Sequence, residues 1–71
     1  MVVNIKKENE SIIKKIMNEN FEVIILSNVS LEKVRSYWEG FIQSAYLLGG
    51  ITSDGESRLF SHLNILINKK R

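Results

Sequence analysis

The side chains that could perform chemistry are few, and their spacing does not suit catalysis. His62 is the only histidine, and the chain has no cysteine. A serine triad would have to use His62 as its base, yet no G-x-S-x-G turn accompanies it. A zinc site would have one histidine and no cysteine, so carboxylates would have to supply its other ligands. We interpret His62 as a half-exposed structural histidine, and we expect a protein that is not an enzyme and binds no metal or other cofactor.

The acidic residues have simpler explanations than a calcium site or a catalytic site. Asp54 and Glu56 fall in the first turn of a predicted helix, where negative charge complements the helix dipole. Glu32 and Glu39 lie two turns apart on another predicted helix, and the acidic spacing of an EF-hand is absent. The chain contains neither a P-loop nor G-x-G-x-x-G, so no nucleotide site is indicated.

Basic residues near both ends of the chain could contact nucleic acid. They are Lys6, Lys7, Lys14, Lys15, Lys69, Lys70 and Arg71. Such residues can bind a DNA backbone without reading its sequence. The net charge is only +2, however, and the helix after Gly49 begins with Asp54 and Glu56, which would repel phosphates. We favour a solvated surface with a dipole-compensating tail, and we keep a small DNA-associated accessory protein as the alternative function.

The clearest secondary-structure pattern begins at Ser30, which is a suitable N-cap. Apolar residues then recur at three- and four-residue steps, which predicts a helix over about 31–48. Its apolar residues are Leu31, Val34, Trp38, Phe41, Ile42, Ala45 and Leu48. We expect Trp38 and Phe41 to be buried. Further apolar residues beside this face predict a central helix that packs on two sides.

Two glycines and a capping box predict a tight turn followed by a third helix. Gly49 and Gly50 can take the left-handed conformation that ends a helix. Ser53 followed by Glu56 matches a capping box, so we expect Ser53 to cap the third helix. The apolar face of that helix contains Leu59, Phe60, Leu63, Leu66 and Ile67. The second and third helices are therefore predicted to form a helical hairpin.

The first part of the chain is predicted to be helical from about Glu8, but residues 21–26 allow two interpretations. The helical stripe contains Ile12, Ile13, Ile16 and Met17, and its continuation through Phe21 favours one long helix. The β-branched and aromatic residues of 21–26 would also suit a strand, although only residues 2–5 could pair with it. We favour an all-α fold of three helices and keep α+β as the alternative.

The predicted central helix carries the strongest indications of a protein partner. Tyr37 and Tyr46 flank its apolar face, and aromatic residues are frequent in interface hot spots. Gly40 in the helix interior, with Ser44 one turn later, indicates the close approach of another backbone. That backbone is either a helix of the same chain, which we favour, or a second subunit or partner. We predict that Tyr37, Gly40, Ser44 and Tyr46 contact the partner.

The favoured function is a small non-catalytic protein–protein interaction module that regulates or inhibits its target. The 71 residues form one domain, residues 1–71, whose stability alone would be marginal, so we expect a homodimer. No signal peptide or membrane span is visible, which favours a cytoplasmic location. The stretch SLEKVRSYWEGFIQSAYLLGGITSDGE resembles small proteins carried by phages and mobile elements of low-GC bacteria, which implies such an origin.

Overall fold

Three α-helices make up the described part of the chain. The computed structural model describes residues 4–26 and 30–70, of which 22–26 are described by their backbone alone. The helices are α1 (Ile5–Leu26), α2 (Leu31–Leu47) and α3 (Ser53–Lys70), and the described ranges contain no strand. The all-α prediction is therefore confirmed. Residues 1–3, 27–29 and 71 lie outside the described part, and with them lie the start of the possible strand partner at 2–5 and the basic residue Arg71.

The alternative strand at residues 21–26 is wrong, because this segment forms the end of α1. A lone strand would leave its backbone N–H and C=O groups without ladder partners, whereas a helix pairs them within the segment. The long first helix begins at Ile5, earlier than the predicted start near Glu8. Asn4 caps this end, since its Oδ1 accepts a 3.1 Å hydrogen bond from the backbone N–H of Lys7.

The N-terminus of α2 is capped as predicted, and that of α3 is not. Ser30 Oγ accepts a 3.2 Å hydrogen bond from the backbone N–H of Lys33. At α3 the cap is Thr52, whose Oγ1 accepts a 3.0 Å hydrogen bond from the backbone N–H of Gly55. The predicted capping box of Ser53 and Glu56 is wrong, because Ser53 is already the first helical residue. The hydroxyl of Thr52 stands one position earlier and reaches the free N–H groups of the first turn.

The connection from α2 to α3 starts with a backbone motif that uses both glycines. The N–H of Gly49 donates to the carbonyl of Tyr46 at 2.9 Å, and that of Gly50 donates to Ala45 at 2.8 Å. Gly49 has a φ of 79°, in the left-handed region, where a side chain would be strained. These two hydrogen bonds are those of a Schellman motif, and Ile51 directly beyond it is buried in the core.

The contacts between helices show their relative directions. Arg35 near the start of α2 donates to Asn64 near the end of α3 at 2.7 Å, so α2 and α3 are antiparallel. Glu10 of α1 binds Arg58, and Asn18 lies against His62. Sequence numbers therefore rise together along α1 and α3, and these two helices are parallel.

The central helix is α3, so the prediction that α2 is central is wrong. α3 packs extensively on both α1 and α2, whereas α1 and α2 contact each other much less. The apolar residues that α2 carries beside its main stripe lie at the surface of the described structure; they are Tyr37, Tyr46 and Leu47.

One apolar core lies between the three helices. Its buried residues are Ile13, Met17, Phe21, Val34, Trp38, Ile42, Ile51, Leu59, Leu63 and Ile67. The predicted face of α3 is confirmed, with Phe60 and Leu66 half-buried at its margin. In α2, Phe41 is 41% exposed, so the prediction that it is buried is wrong. Leu48, at the end of the same apolar stripe, is 87% exposed. Within the described ranges, no helix combines the length and the apolar character that crossing a membrane requires.

Candidate partner-binding face

The four residues predicted to bind a partner are all exposed, but they do not form one patch. Tyr37 and Tyr46 are nine residues apart, which is about two and a half helical turns, so they lie on opposite sides of α2. Tyr46 lies about three turns from Arg35, whose side chain contacts α3, and is therefore on the flank near α3. Tyr37, Gly40 and Ser44 lie on other flanks, away from α3.

A different set of α2 residues forms a continuous exposed stripe. Tyr37, Phe41, Ser44 and Leu48 follow one another at steps of four, three and four residues, so they lie on one side of the helix. This side is opposite Arg35 and hence opposite α3. The core residues of α2 face the space between α1 and α3, so the flank away from α3 is the one that borders α1. Three of the four stripe residues are large and apolar or aromatic.

The helix α1 contributes a matching exposed stripe. The side chain of Asn9 marks the flank of α1 toward α2, since its Nδ2 donates to the carbonyl of Gly50 at 2.8 Å. Three isoleucines share that flank because of their spacing from Asn9. Ile5 lies four residues before it, Ile12 three residues after it and Ile16 seven residues after it. All three are exposed. We call the two stripes together the α1/α2 face; its apolar members are Ile5, Ile12, Ile16, Tyr37, Phe41 and Leu48.

Sequence reasoning missed the α1 part of this face, although one signal was present. Ile12 adjoins Ile13, and Ile16 adjoins Met17, and a helix cannot direct both members of such a pair at the same neighbour. Ile13 and Met17 are buried, so Ile12 and Ile16 must point elsewhere, and here they point outward. Adjacent apolar positions that recur along a helix therefore indicate a second surface to be covered.

The interior glycine of α2 makes no close contact with the described residues. A Cβ built on Gly40 would meet no atom within 4 Å. The favoured prediction, that a helix of the same chain approaches there, is therefore wrong for the described residues. Gly40 lies on the outside of α2, so close approach by a second subunit or a partner stays a prediction.

This contrast between glycines gives a paired prediction for stability. Gly40→Ala should raise the free energy of unfolding by about 1 kcal/mol, because alanine is the better helix former and the site is open. Gly49→Ala should lower it by about 1 kcal/mol, because the φ of 79° suits glycine. Urea denaturation monitored by circular dichroism measures both. A loss of stability in Gly40→Ala would show that a neighbour occupies that surface.

Trp38 lies directly beneath the α1/α2 face. It is 2% exposed, and its ring makes edge contacts with Tyr37 and Phe41 at centroid distances of 5.2 and 5.6 Å. Its Nε1–H is buried, and no hydrogen-bond acceptor for it is found among the described residues. A buried unpaired donor is costly, so the aromatic packing around it is what holds the indole in place.

The opposite side of α1 is occupied by polar contacts with α3. Glu10 accepts two hydrogen bonds from Arg58, at 2.7 Å from Nε and 2.8 Å from Nη2. His62 Nε2 lies 2.6 Å from Asn18 Oδ1 and donates to it. Burial, together with the charges of Lys14 and Lys69, lowers the pKa of His62. A shallow groove of about 360 Å³ lies along this seam; it is lined by Lys14, Ser57, Arg58, Ser61, His62 and Ile65.

The Glu10–Arg58 pair makes stability depend on acidic pH. Hydrogen bonding from Arg58 lowers the pKa of Glu10 below its ordinary value near 4.5, against the opposing effect of burial. Because the pKa of Glu10 is lower in the folded chain than in the unfolded chain, its ionised form stabilises the fold above about pH 4.5. This stability is lost as the pH falls through the pKa that Glu10 has in the folded chain. Glu10→Gln should therefore reduce stability at neutral pH and flatten its acid dependence. Melting temperatures between pH 3 and 7 test this, and Arg58→Gln should remove the same part of the profile. An unchanged profile in both variants would contradict it.

The basic residues do not form one surface among the described residues. Lys6 and Lys7 lie near the α2–α3 connection, because Asn9 of the next turn contacts Gly50. Lys69 and Lys70 end α3 at the opposite end of a structure 44 Å long. Between these ends, Lys14 lines the groove beside α3, while Lys15 pairs with Glu19.

Comparisons and metal chemistry add no further site. The chain matches no known family model and shows no significant similarity to a curated protein or a solved structure. No group of His, Cys, Asp or Glu that could hold a metal ion occurs in the searched part of the chain, which is the described residues. Function is therefore inferred from the surfaces above.

Proposed function

We propose that this protein is a non-catalytic protein–protein interaction module whose α1/α2 face binds a partner. The observation that carries this proposal is the alignment of six exposed apolar side chains on the flanks of α1 and α2 that border each other. A monomeric soluble protein rarely exposes so many large apolar residues on one side. Burying such a surface is the main source of affinity in protein association.

The geometry of the face favours a helical partner segment. The helices α1 and α2 contact each other little, which leaves room for a shallow channel between them. An amphipathic helix of a partner can lie in such a channel, held by its own apolar residues at three- and four-residue spacing. Tyr37 and Phe41 at one margin are aromatic anchors of the kind that carry binding energy. By occupying an apolar surface of its target, the module would regulate or inhibit that target.

Within this proposal, α2 and α3 act as a helical hairpin joined at Gly49 and Gly50. The Schellman hydrogen bonds at 2.8 and 2.9 Å and the left-handed φ of Gly49 support it, as does the antiparallel Arg35–Asn64 contact. In this arrangement α3 packs on both other helices, and α1 and α2 present the α1/α2 face.

The test compares face variants with a matched control. Tagged protein serves as bait in a lysate of the source cells, as wild type, as Phe41→Lys, as Leu48→Lys and as Ile65→Lys. Ile65 is 52% exposed and lies on α3 in the groove beside α1, so it controls for the loss of an exposed isoleucine. We expect a protein partner, or the protein itself, to be retained by wild type and Ile65→Lys and lost by the face variants.

Salt and fluorescence sharpen this test. An apolar interface should persist from about 0.1 M to 1 M NaCl, whereas binding to a DNA backbone falls steeply over that range. Trp38 is the only tryptophan and touches Tyr37 and Phe41, so its emission should change when a purified partner covers the face. Equal binding by wild type and face variants, or binding that disappears at high salt, would overturn the proposal.

A further inference from the structure

We propose that a second copy of this chain covers the α1/α2 face, with the two α1 helices antiparallel and a two-fold axis close to Ile12. This inference rests on the proposed function, because it names the partner of the same face. Three features of the described residues point to it: the dimensions of the face, the charges around Ile12, and the position of Leu48.

The dimensions of the face suit a homodimer. The structure is 44 Å long and 19 Å wide, so one long side offers about the 800 Å² that each partner buries in a standard interface. Interfaces in homodimers are also more apolar than the average protein surface, as this face is. A chain of 71 residues folding alone buries only about 60% of the surface that its unfolded chain exposes, less than a larger domain buries, and self-association adds to this burial.

The charges around Ile12 favour an antiparallel pair of α1 helices. Glu8 lies four residues before Ile12 and Lys15 lies three residues after it, so both border the same stripe, and both are exposed. In a two-fold symmetric dimer, a contact between residue i of one copy and residue j of the other is repeated between residue j of the first copy and residue i of the second. Lys15 lies 3.9 Å from Glu19 of its own helix, and antiparallel helices centred near Ile12 also place it beside the second copy's Glu8. The two-fold symmetry repeats this second contact. Parallel helices would place like charges together, which is unfavourable.

Leu48 completes an apolar centre for this interface. The Asn9–Gly50 hydrogen bond fixes the first turns of α1 beside the end of α2. Ile12 and Leu48 each lie within one turn of that bond and on the flanks that border each other. Leu48 is 87% exposed, the largest exposed fraction among the exposed large apolar residues. An apolar centre of Ile12 and Leu48 with a rim of Glu8 and Lys15 is the usual anatomy of a specific interface.

The first experiment is light scattering of the purified protein across a concentration series at low and high salt. We expect a dimer at both salts for wild type and for Ile65→Lys. We expect a monomer for Ile12→Lys, with the far-UV circular dichroism of wild type, because Ile12 is 54% exposed and lysine is a good helix former. A monomeric wild type, or a dimer that Ile12→Lys leaves intact, would overturn the inference.

Cross-linking tests the position of the axis. The chain has no cysteine, so a single introduced cysteine reports on one position alone. Residues close to a two-fold axis meet their own copies, within the reach of a disulfide. Under mild oxidation, Ile12→Cys should form a covalent dimer in most of the protein, and Ile65→Cys should not. Equal cross-linking at the two positions would contradict an axis near Ile12.

Charge exchange tests the antiparallel arrangement. Lys15→Glu should weaken the dimer about tenfold, because the symmetry repeats each lost pair. The double variant with Glu8→Lys and Lys15→Glu should restore the dissociation constant of the wild-type dimer. Local damage to α1 by the single substitution would not be reversed in this way. A double variant weaker than the single one would overturn the arrangement.

The outcomes separate this inference from the proposed function. The wild type could be a monomer that still retains another protein, with this binding lost in Leu48→Lys. That result would overturn the inference of a second copy and would support the proposed interaction module. A monomer that retains no partner would overturn both.

Discussion

Replacing Trp38 by alanine should lower the free energy of unfolding by about 3 to 5 kcal/mol. Trp38 is the largest residue of the core and is 2% exposed. Its removal would leave a cavity between α2 and the other helices and would also remove the edge contacts with Tyr37 and Phe41. A domain of this length has roughly 4 to 11 kcal/mol of stability in total. We therefore expect Trp38→Ala to be largely unfolded at about 37 °C, as circular dichroism during a thermal scan would show.

Two companion variants separate volume from polarity at this position. Trp38→Phe keeps an aromatic ring and removes the buried Nε1–H, which has no acceptor among the described residues, so it should cost much less than alanine. Tyr37→Ala, at an exposed neighbour, should cost only about 0.5 to 1.5 kcal/mol for the lost ring contact. An unchanged melting temperature in Trp38→Ala would show that this side chain is not part of the core.

Replacing Leu63 by alanine should lower the free energy of unfolding by about 2 to 5 kcal/mol. Leu63 lies in the middle of α3, is 1% exposed and faces the core that α1 and α2 share with α3. Because α3 packs on both other helices, a cavity in it loosens two interfaces together. Urea denaturation with the fluorescence of Trp38 as the probe measures this loss.

The matched control is the same substitution on the surface of α2. Leu47 is 73% exposed, so Leu47→Ala should change stability by no more than about 0.5 kcal/mol. The comparison holds the chemistry constant and varies only the burial. If Leu47→Ala were as costly as Leu63→Ala, the assignment of α3 as the central helix would be incorrect.

The amount that could be predicted differs between elements for identifiable reasons. The extents of α2 and α3 follow from apolar spacing and from Ser30 and the two glycines, which act within one helical turn. The cap of α3 was misplaced by one residue, because Thr52 and Ser53 are both good caps and only the backbone path decides between them. The segment 21–26 was ambiguous because β-branched residues suit a strand, and the lack of a partner strand is a tertiary fact.

The candidate face was predicted only in part. Exposure of Tyr37 follows from its position beside the apolar stripe of α2. Phe41 was assigned to the core because it shares that stripe with Trp38, yet a helix that packs on one main neighbour buries a narrower arc than its apolar residues cover. The exposed isoleucines of α1 were not identified, because their spacing alone cannot distinguish the buried member of each adjacent apolar pair.

By itself, the sequence determined the helices, their approximate ends and the burial of Val34, Trp38 and Ile42, since these depend on spacing, capping and local backbone preference. The tertiary structure decided which helix is central, which apolar residues stay at the surface and which polar residues meet, such as Glu10 and Arg58. The physical reason is that periodicity defines the faces of one helix, whereas the packing of three helices selects which of those faces are covered. The α1/α2 face exists because the helices carry more apolar side-chain surface than their packing against one another can bury.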